Sequence, residues 1–540
     1  MTEEPGRHPV TVTVGDGEEA SGAPVPPASP IPADFAGLSF EVGPLVPGNA
    51  GVRGYLFRPG NTELITLFRD AGLGNLRVGG GSVDQRIPAG TGPDGFTGID
   101  NLFGFAAAAG LRVIYTLRLL SRADAPIEDL VPANARIAGY IWSRYREHLA
   151  SFAIGNEPDW HAFHSHAGRL VDPAIVEDVA GVPGSAYRSY LARWQTFADA
   201  ITAAAPGAPL SGPDTGDYTT RTYSPDPGSG RSWTERFAAD GPARAPVTDI
   251  TQHYYAGADP KDSTAAQAIG NMLSPEWVTG TLPGSQPAGT SYVPYPWLYR
   301  SNLAAVTAAG LRYRLTESND YLGGVPGASN AFAAALWALD HLHWWAAHGA
   351  AGVNFHNKQW LYTDTIVPAP AGPAAGCAVS PKAYGIKAFA LGSAGHSKPV
   401  QIGNPDGINV TAYCAGPRVH STAGDSTAGD STASDRSAGD GTAWEDFVTV
   451  VNKTYGEHAA DAAVTISMPG AGPHHAEVIT LDSGDPGDVT SATATLGGAA
   501  ITGGAPWAGT WRPLATGARP GITLTVPAAT AAVIRIRRRP

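Results

Sequence analysis

The chain has 540 residues, 43% of them hydrophobic, which exceeds what one core ordinarily supports and predicts two globular domains. Its net charge of -12 carries no basic stripe, which argues against nucleic acid and anionic membrane surfaces as partners and against a long polyanion as ligand. The two cysteines, Cys377 and Cys414, leave room for one bridge and exclude a disulfide framework or a Cys-based zinc pattern.

Residues 1–8 lack the basic start and apolar run of a secretory signal, and no 18-residue apolar span follows, so a soluble, cytoplasmic protein is expected. The early stretch Val10-Thr11-Val12-Thr13-Val14 alternates as a half-buried strand does. From about residue 35 to about 360, eight short apolar runs follow, at 35–42, 74–78, 111–117, 151–156, 209–212, 248–254, 311–317 and 351–355. Between them lie stretches of helical periodicity, among them 61–71 (with Asn61 as N-cap), 186–205 and 328–348. That alternation is the pattern of parallel strands with crossover helices, and eight of them predict an α/β fold, a (β/α)8 TIM barrel spanning 31–380.

Beyond residue 380 the texture changes to Val/Thr/Ile alternation, as in Phe447-Val448-Thr449-Val450-Val451, Ala463-Val464-Thr465-Ile466 and Ala532-Val533-Ile534-Arg535-Ile536. Gly/Pro turns separate these runs, so 381–540 is expected to form an antiparallel β-sandwich that also takes the N-terminal strand from 1–30. Within it, 421–441 repeats Ser-Thr-Ala-Gly-Asp and offers nothing larger than alanine to bury, which predicts a disordered loop.

The chemistry concentrates at strand ends. Gly155-Asn156-Glu157-Pro158 closes the fourth run and Glu317 closes the seventh, and the C-terminal strand ends are where a barrel collects its reacting groups. An Asn-Glu-Pro alone also reads as a turn or helix start, and a lone strand-end Glu as a surface ion pair. Two such carboxylates on one barrel face instead match the pair that glycoside hydrolysis needs, one acid to protonate the leaving oxygen and one carboxylate to attack carbon. Asn156 would then hydrogen-bond the sugar 2-hydroxyl, and Tyr255, ending the sixth strand, would donate its phenol to Glu317. His161, His164 and His166 follow Glu157 without an acidic or cysteine partner spaced to complete a tetrahedral site, so they are expected to line an aglycone pocket and no metal is expected. Gly79-Gly80-Gly81 lacks GxGxxG spacing, which leaves a dinucleotide site unsupported and suits close backbone approach at a sugar. No cofactor is expected.

The ordered motifs Leu38-Ser39-Phe40-Glu41, Leu76-Arg77-Val78-Gly79-Gly80-Gly81-Ser82, Ile154-Gly155-Asn156-Glu157-Pro158, His253-Tyr254-Tyr255 and Leu315-Thr316-Glu317-Ser318 together resemble glycoside hydrolase family 79, which contains β-glucuronidases and the heparanases. The resemblance covers nearly the whole chain. It implies a retaining mechanism with Glu157 as acid/base and Glu317 as nucleophile. It further implies that Glu41 meets a sugar hydroxyl, that Gly81 and Ser82 line the same subsite, and that Tyr321, with Gly323 and Gly324, and the segment carrying Lys358 and Tyr362 receive the sugar carboxylate. The loop after Glu317 is one residue shorter than in the heparanases, which loosens the match at Tyr321. The expected activity is a retaining exo-β-glucuronidase acting on small aryl or oligosaccharide glucuronides. The alternatives are a β-glucosidase or β-xylosidase of the same clan, a heparanase-like endo-β-glucuronidase, and a non-catalytic carbohydrate-binding protein. Against endo cleavage of a sulfated chain stands the absence of a Lys/Arg cluster near the motifs.

Overall fold

A computed structural model describes residues 6–15, 30–85, 95–121, 126–160, 184–216, 231–257, 263–279, 295–298, 302–417, 446–468, 474–485, 487–515 and 521–538. His161, His164, His166 and the 421–441 repeat lie outside the described residues.

All eight apolar runs form strands, and these close in chain order into one parallel barrel: β2 (Ala36–Glu41), β3 (Asn75–Gly79), β4 (Arg112–Leu117), β5 (Leu149–Ile154), β6 (Leu210–Thr215), β7 (Val247–Gly257), β8 (Arg312–Tyr321) and β9 (Gly352–His356). Their residues are almost entirely buried, as expected where one face meets the barrel interior and the other the helices. The surrounding helices include α1 (Thr62–Asp70), whose N-cap Asn61 accepts from Leu64 N–H, α2 (Thr97–Ala109), α3 (Ile127–Tyr145), α4 (Ser185–Ala204), α5 (Trp233–Asp240), α6 (Ala265–Met272) and α7 (Phe332–Ala347). Helix α7 is buried along both faces, because the second domain covers the side that the barrel does not.

Two strands overrun their expected ends. β7 continues to Gly257 and β8 to Tyr321, still paired (Tyr255↔Asn319, Gly257↔Tyr321), with register shifts at Gln252/His253 and across Leu315/Ser318. Glu317 therefore lies inside β8 rather than closing it. The register shifts break the regular alternation there, and such irregularities re-aim a side chain, here at Glu317 within a strand that continues past it.

The second domain is a sandwich of two sheets. One runs β13 (Val400–Gly403), β1 (Arg7–Val14), β16 (Asp461–Ser467), β20 (Ile522–Val526), so the N-terminal strand sits inside it. The other runs β12 (His396–Lys398), β14 (Val410–Gly416), β15 (Asp446–Asn452), β21 (Thr530–Arg538), β17 (His474–Asp482), β18 (Thr495–Leu496). The pairing is antiparallel apart from β1 with β16, which is parallel, a combination that a strand delivered from the far end of the chain permits. Val12, Val450, Val464 and Ile534 share the core between the sheets. On its other face the larger sheet contributes Val451, Ile479, Leu481 and Val533 to the same apolar cluster as the barrel and its helices. A buried ion pair seals that junction: Lys453 Nζ lies 2.8 Å from Asp340 on α7, which also accepts from Thr411 and Tyr413. Cys377 and Cys414 are both free and buried. Among the described residues no helix is long and apolar enough to cross a membrane.

Candidate active site

The C-terminal mouth of the barrel gathers charged side chains from six strands around one buried guanidinium. Arg77, in mid-β3, is fully buried, and an arginine is kept there by pairing its charge with carboxylates and its terminal donors with acceptors. Its Nη1 donates to Ser39 Oγ at 3.0 Å and Glu317 Oε2 at 2.8 Å, and its Nη2 to Asn156 Oδ1 at 2.7 Å and Asp214 Oδ2 at 2.9 Å. One planar fork thus ties β2, β3, β6, β8 and Asn156, two residues past β5, into a single arrangement.

Glu317 is held on both oxygens, with Tyr255 Oη donating to Oε1 at 2.7 Å and Arg77 on Oε2. Burial works against its charge, but His356, His253 and Arg77 outweigh burial and hold its carboxyl well below the usual carboxylate range. Asp214 is likewise buried, and is likewise held low by Arg77 and His253 and by hydrogen bonds from Thr251 and Thr316. Glu157 has different surroundings. Its side chain is 14% exposed, its backbone takes a φ of 45° fixed by an N–H bond to Asp214 O at 2.8 Å, and its Oε1 shares a 2.9 Å hydrogen bond with His253 Nδ1. His253 is fully buried. Burial lowers its pKa, yet the Glu317 charge and the Glu157 hydrogen bond raise it more.

Glu157, His253 and Glu317 each place one ligand-type atom within 4.8 Å of the others, so a carboxylate oxygen of Glu157 and one of Glu317 lie no farther apart than that. The same trio has donors that suit a divalent ion, although Arg77 already neutralises Glu317 and opposes a second positive charge there.

Glu41 ends β2 beside this cluster. Its Oε2 accepts the Ser82 N–H at 2.8 Å, and Ser82 Oγ accepts the Val42 N–H at 3.1 Å. Within the glycine run the geometry constrains Gly79, where a Cβ would stand 2.3 Å from Thr116 Oγ1, and Gly80, but not Gly81. Gly80 has φ 64°, and a Cβ there would stand 2.7 Å from the Glu41 carboxyl carbon, whereas a Cβ on Gly81 meets open space. Gly80→Ala is expected to push Glu41 aside and to lower kcat/KM about 10- to 100-fold with little loss of helix signal, checked by steady-state kinetics and circular dichroism.

The loop after β9 is pinned by Asp364, whose carboxylate accepts N–H groups of Lys358 (3.1 Å), Trp360 (2.6 Å) and Leu361 (3.0 Å), while Gln359 and Trp360 take φ of 62° and 78°. Burial raises Asp364 to about 6 in spite of those donors. Lys358 is half-exposed with Nζ 4.0 Å from Glu41 Oε1, and Tyr362 is exposed on the same loop.

The structure therefore brings Glu41, Ser82, Asn156, Glu157, Tyr255, Glu317 and Lys358 to one place. It does not bring Tyr321, whose ring is fully buried against Gly257 and whose hydroxyl accepts from Asn271 Nδ2 at 3.1 Å. The continuation of β8 explains this, since Tyr321 is still a strand residue rather than a loop residue free to turn inward. Sequence reasoning gave no role to Arg77, Asp214 or His253. The signal for Arg77 was a charge in the middle of an apolar strand, which obliges partners inside the barrel. For Asp214 and His253 it was a titratable group at a C-terminal strand end.

No protein-family model matches the chain, and no curated protein matches it. Solved structures do. A 4-O-α-L-rhamnosyl-β-D-glucuronidase from Fusarium oxysporum is similar at 15% identity over 97% of this chain and 100% of that one, with a TM-score of 0.60. A family 51 arabinofuranosidase from Xanthomonas axonopodis pv. citri is similar at 13% identity over 98% and 100%, with a TM-score of 0.62. A bifunctional glucanase-xylanase from a metagenome library is similar at 15% identity over 98% and 99%, with a TM-score of 0.60. All three neighbours are named as enzymes that act on glycosides, and at such identities the likeness establishes the shared fold.

Proposed function

We propose that this protein is a retaining exo-β-glucuronidase of the family 79 type, acting on β-D-glucuronides of small aryl or oligosaccharide aglycones. The observation that carries the proposal is the approach of Glu157 and Glu317 to within 4.8 Å at the mouth of a barrel whose structural neighbours cleave glycosides. Retaining enzymes hold the two carboxyls about 5 to 5.5 Å apart and inverting ones about 6.5 to 9.5 Å, so the short gap favours retention. The two environments divide the roles. Glu317, ionised and fixed by Arg77 and Tyr255, attacks the anomeric carbon as the glycosidic C–O bond breaks and Glu157 delivers its proton to the leaving oxygen. Water then attacks the glycosyl ester, Glu157 takes the water's proton, and Glu317 leaves as carboxylate. His253 Nδ1, 2.9 Å from Glu157 Oε1, holds the acid in place at the barrel mouth.

Support for a uronate comes from the family 79 motifs, from the rhamnosyl-glucuronidase among the similar structures, and from Lys358 beside Glu41, a cation in reach of a sugar carboxylate. The buried hydroxyl of Tyr321 favours an alternative, a β-glucosidase or β-xylosidase on the same scaffold, because the tyrosine expected to hold the carboxylate is engaged elsewhere. Release of nitrophenol from p-nitrophenyl β-D-glucuronide, β-D-glucoside and β-D-xyloside separates the two. Preference for the glucuronide by about 100-fold or more is the expected result, and preference for either neutral sugar replaces the glucuronidase with the alternative. Sugar binding with no turnover of any of the three would retire both in favour of a carbohydrate-binding role.

A further inference from the structure

We infer that Asp84 is a positioning residue for proton transfer by Glu157: its carboxylate fixes the peptide of Asn156 and with it the reach of the acid to the glycosidic oxygen. The inference rests on the glycosidase reading and concerns the backbone behind its acid/base.

The chain at Gly155-Asn156-Glu157 is bent in a way that it does not hold by itself. Gly155 has φ 84° and Glu157 φ 45°, left-handed positions on either side of Asn156, and for a glutamate that conformation is strained. Such a segment persists only where its surroundings over-determine it. Its three N–H groups all have partners. That of Gly155 donates to Leu117 O at the end of β4 at 2.8 Å, and that of Glu157 to Asp214 O in β6 at 2.8 Å. That of Asn156 donates to the side chain of Asp84. Two of the acceptors are main-chain carbonyls of neighbouring strands, and the third is a side chain that a substitution can remove.

Asp84 lies in the 3-10 turn Val83–Gln85, just past the glycine run that ends β3. It is buried, and its Oδ1 also accepts the N–H groups of Leu119 at 2.8 Å and Leu120 at 2.9 Å, both in the loop after β4. A buried carboxylate with three N–H donors from two loops is a satisfied junction rather than a stray charge. The loop after β4 is itself anchored, since Arg118 Nε donates to Leu120 O at 2.7 Å and Asn134 Nδ2 of α3 donates to Arg118 O at 2.7 Å. Leu119 then backs the bend directly, because a Cβ on Gly155 would stand 2.8 Å from Leu119 Cβ. Asp84 thus holds the Asn156 peptide twice, through its N–H and through Leu119 packed against Gly155. The nucleophile is held by other groups, Tyr255 and Arg77, so a change at Asp84 reaches the acid and leaves Glu317 in place.

The test compares two glycosides of the sugar that wild type prefers, one releasing phenol and one releasing a dinitrophenol. The first leaving group needs a proton and the second departs without one, and kcat/KM reports the step in which the glycosidic bond breaks. Asp84→Asn keeps the volume and one of two acceptor oxygens, and should lose about 10- to 100-fold on the phenyl glycoside but no more than about 3-fold on the dinitrophenyl glycoside. The ratio of the two is independent of how much of the variant is folded. Asp84→Glu keeps the charge and both oxygens one methylene farther out, and should shift the ratio in the same direction by less. A ratio unchanged from wild type in both variants would overturn the inference, leaving Asp84 a support of the fold alone and the glycosidase reading intact. Failure of wild type to cleave either glycoside would instead remove the glycosidase reading, and the inference with it.

Discussion

Glu317→Gln is expected to lower kcat/KM for the preferred aryl glycoside by about 10,000-fold or more while leaving the protein folded. The substitution keeps the shape of the side chain and replaces the nucleophilic carboxylate by a neutral amide that cannot form the glycosyl ester, so the loss falls on chemistry rather than on binding. Folding should survive because Arg77 retains Asp214 as a counter-charge at 2.9 Å. Glu157→Gln should behave differently. It removes a proton donor worth about 100- to 10,000-fold, and the deficit should shrink when the leaving group is a nitrophenol that departs without protonation. Kinetics across a series of phenols of falling acidity read the two roles apart. If Glu317→Gln kept activity within about 10-fold of wild type, or if Glu317→Gln rather than Glu157→Gln showed the steeper dependence on the leaving group, the assignment would be lost or reversed.

The second large effect is expected at Arg77. Arg77→Gln removes the cation shared by Glu317 and Asp214, both of which remain buried, and breaking a buried pair in this way costs about 3 to 5 kcal/mol. The dependence on pH follows from the sign of the shifts. Both carboxyls have folded-state values below their unfolded ones, so their contribution to stability is present above the ordinary carboxylate range and is lost as pH falls through the depressed values. Without Arg77 those values rise, because burial is no longer offset. The stability deficit of Arg77→Gln should therefore be greatest near neutrality and narrow on acidification, and the acid limb of its kcat/KM profile should move to higher pH. Urea unfolding of both proteins at neutral and acid pH, with pH–rate profiles, measures this, and a constant deficit with an unmoved acid limb would contradict it. Arg77→Lys should fall between, keeping the charge and losing the fork that reaches four acceptors.

How much of this could be read from the residues differs between backbone and site. The eight strands were legible because each is a short apolar run bounded by helical periodicity, and burial on both faces makes such runs continuous. The sandwich strands were legible for the opposite reason, their alternation. Glu157 and Glu317 were visible as carboxylates at the ends of apolar runs. What was not visible was anything fixed by contact across the barrel. Arg77 and Asp214 are 137 residues apart in sequence and 2.9 Å apart in space, and no local pattern encodes that meeting. Tyr321 was misplaced because the ends of β7 and β8 are set by mutual pairing, which a single strand's composition does not report.

The place of β1 bears on how the molecule is made. β1 precedes all the barrel strands in sequence, yet takes its position between β13 and β16, which follow them, in a sheet completed by β20. During synthesis Val10, Val12 and Val14 have no sheet partners until the whole barrel and then β13 have emerged, with the barrel assembling in the interval. Closing so long a loop is an entropic toll levied late and all at once, and it makes docking of the N-terminal strand a natural slow step in maturation. Until then the β16 edge stands open, and the nascent chain is at its most vulnerable to pairing with a strand from another molecule.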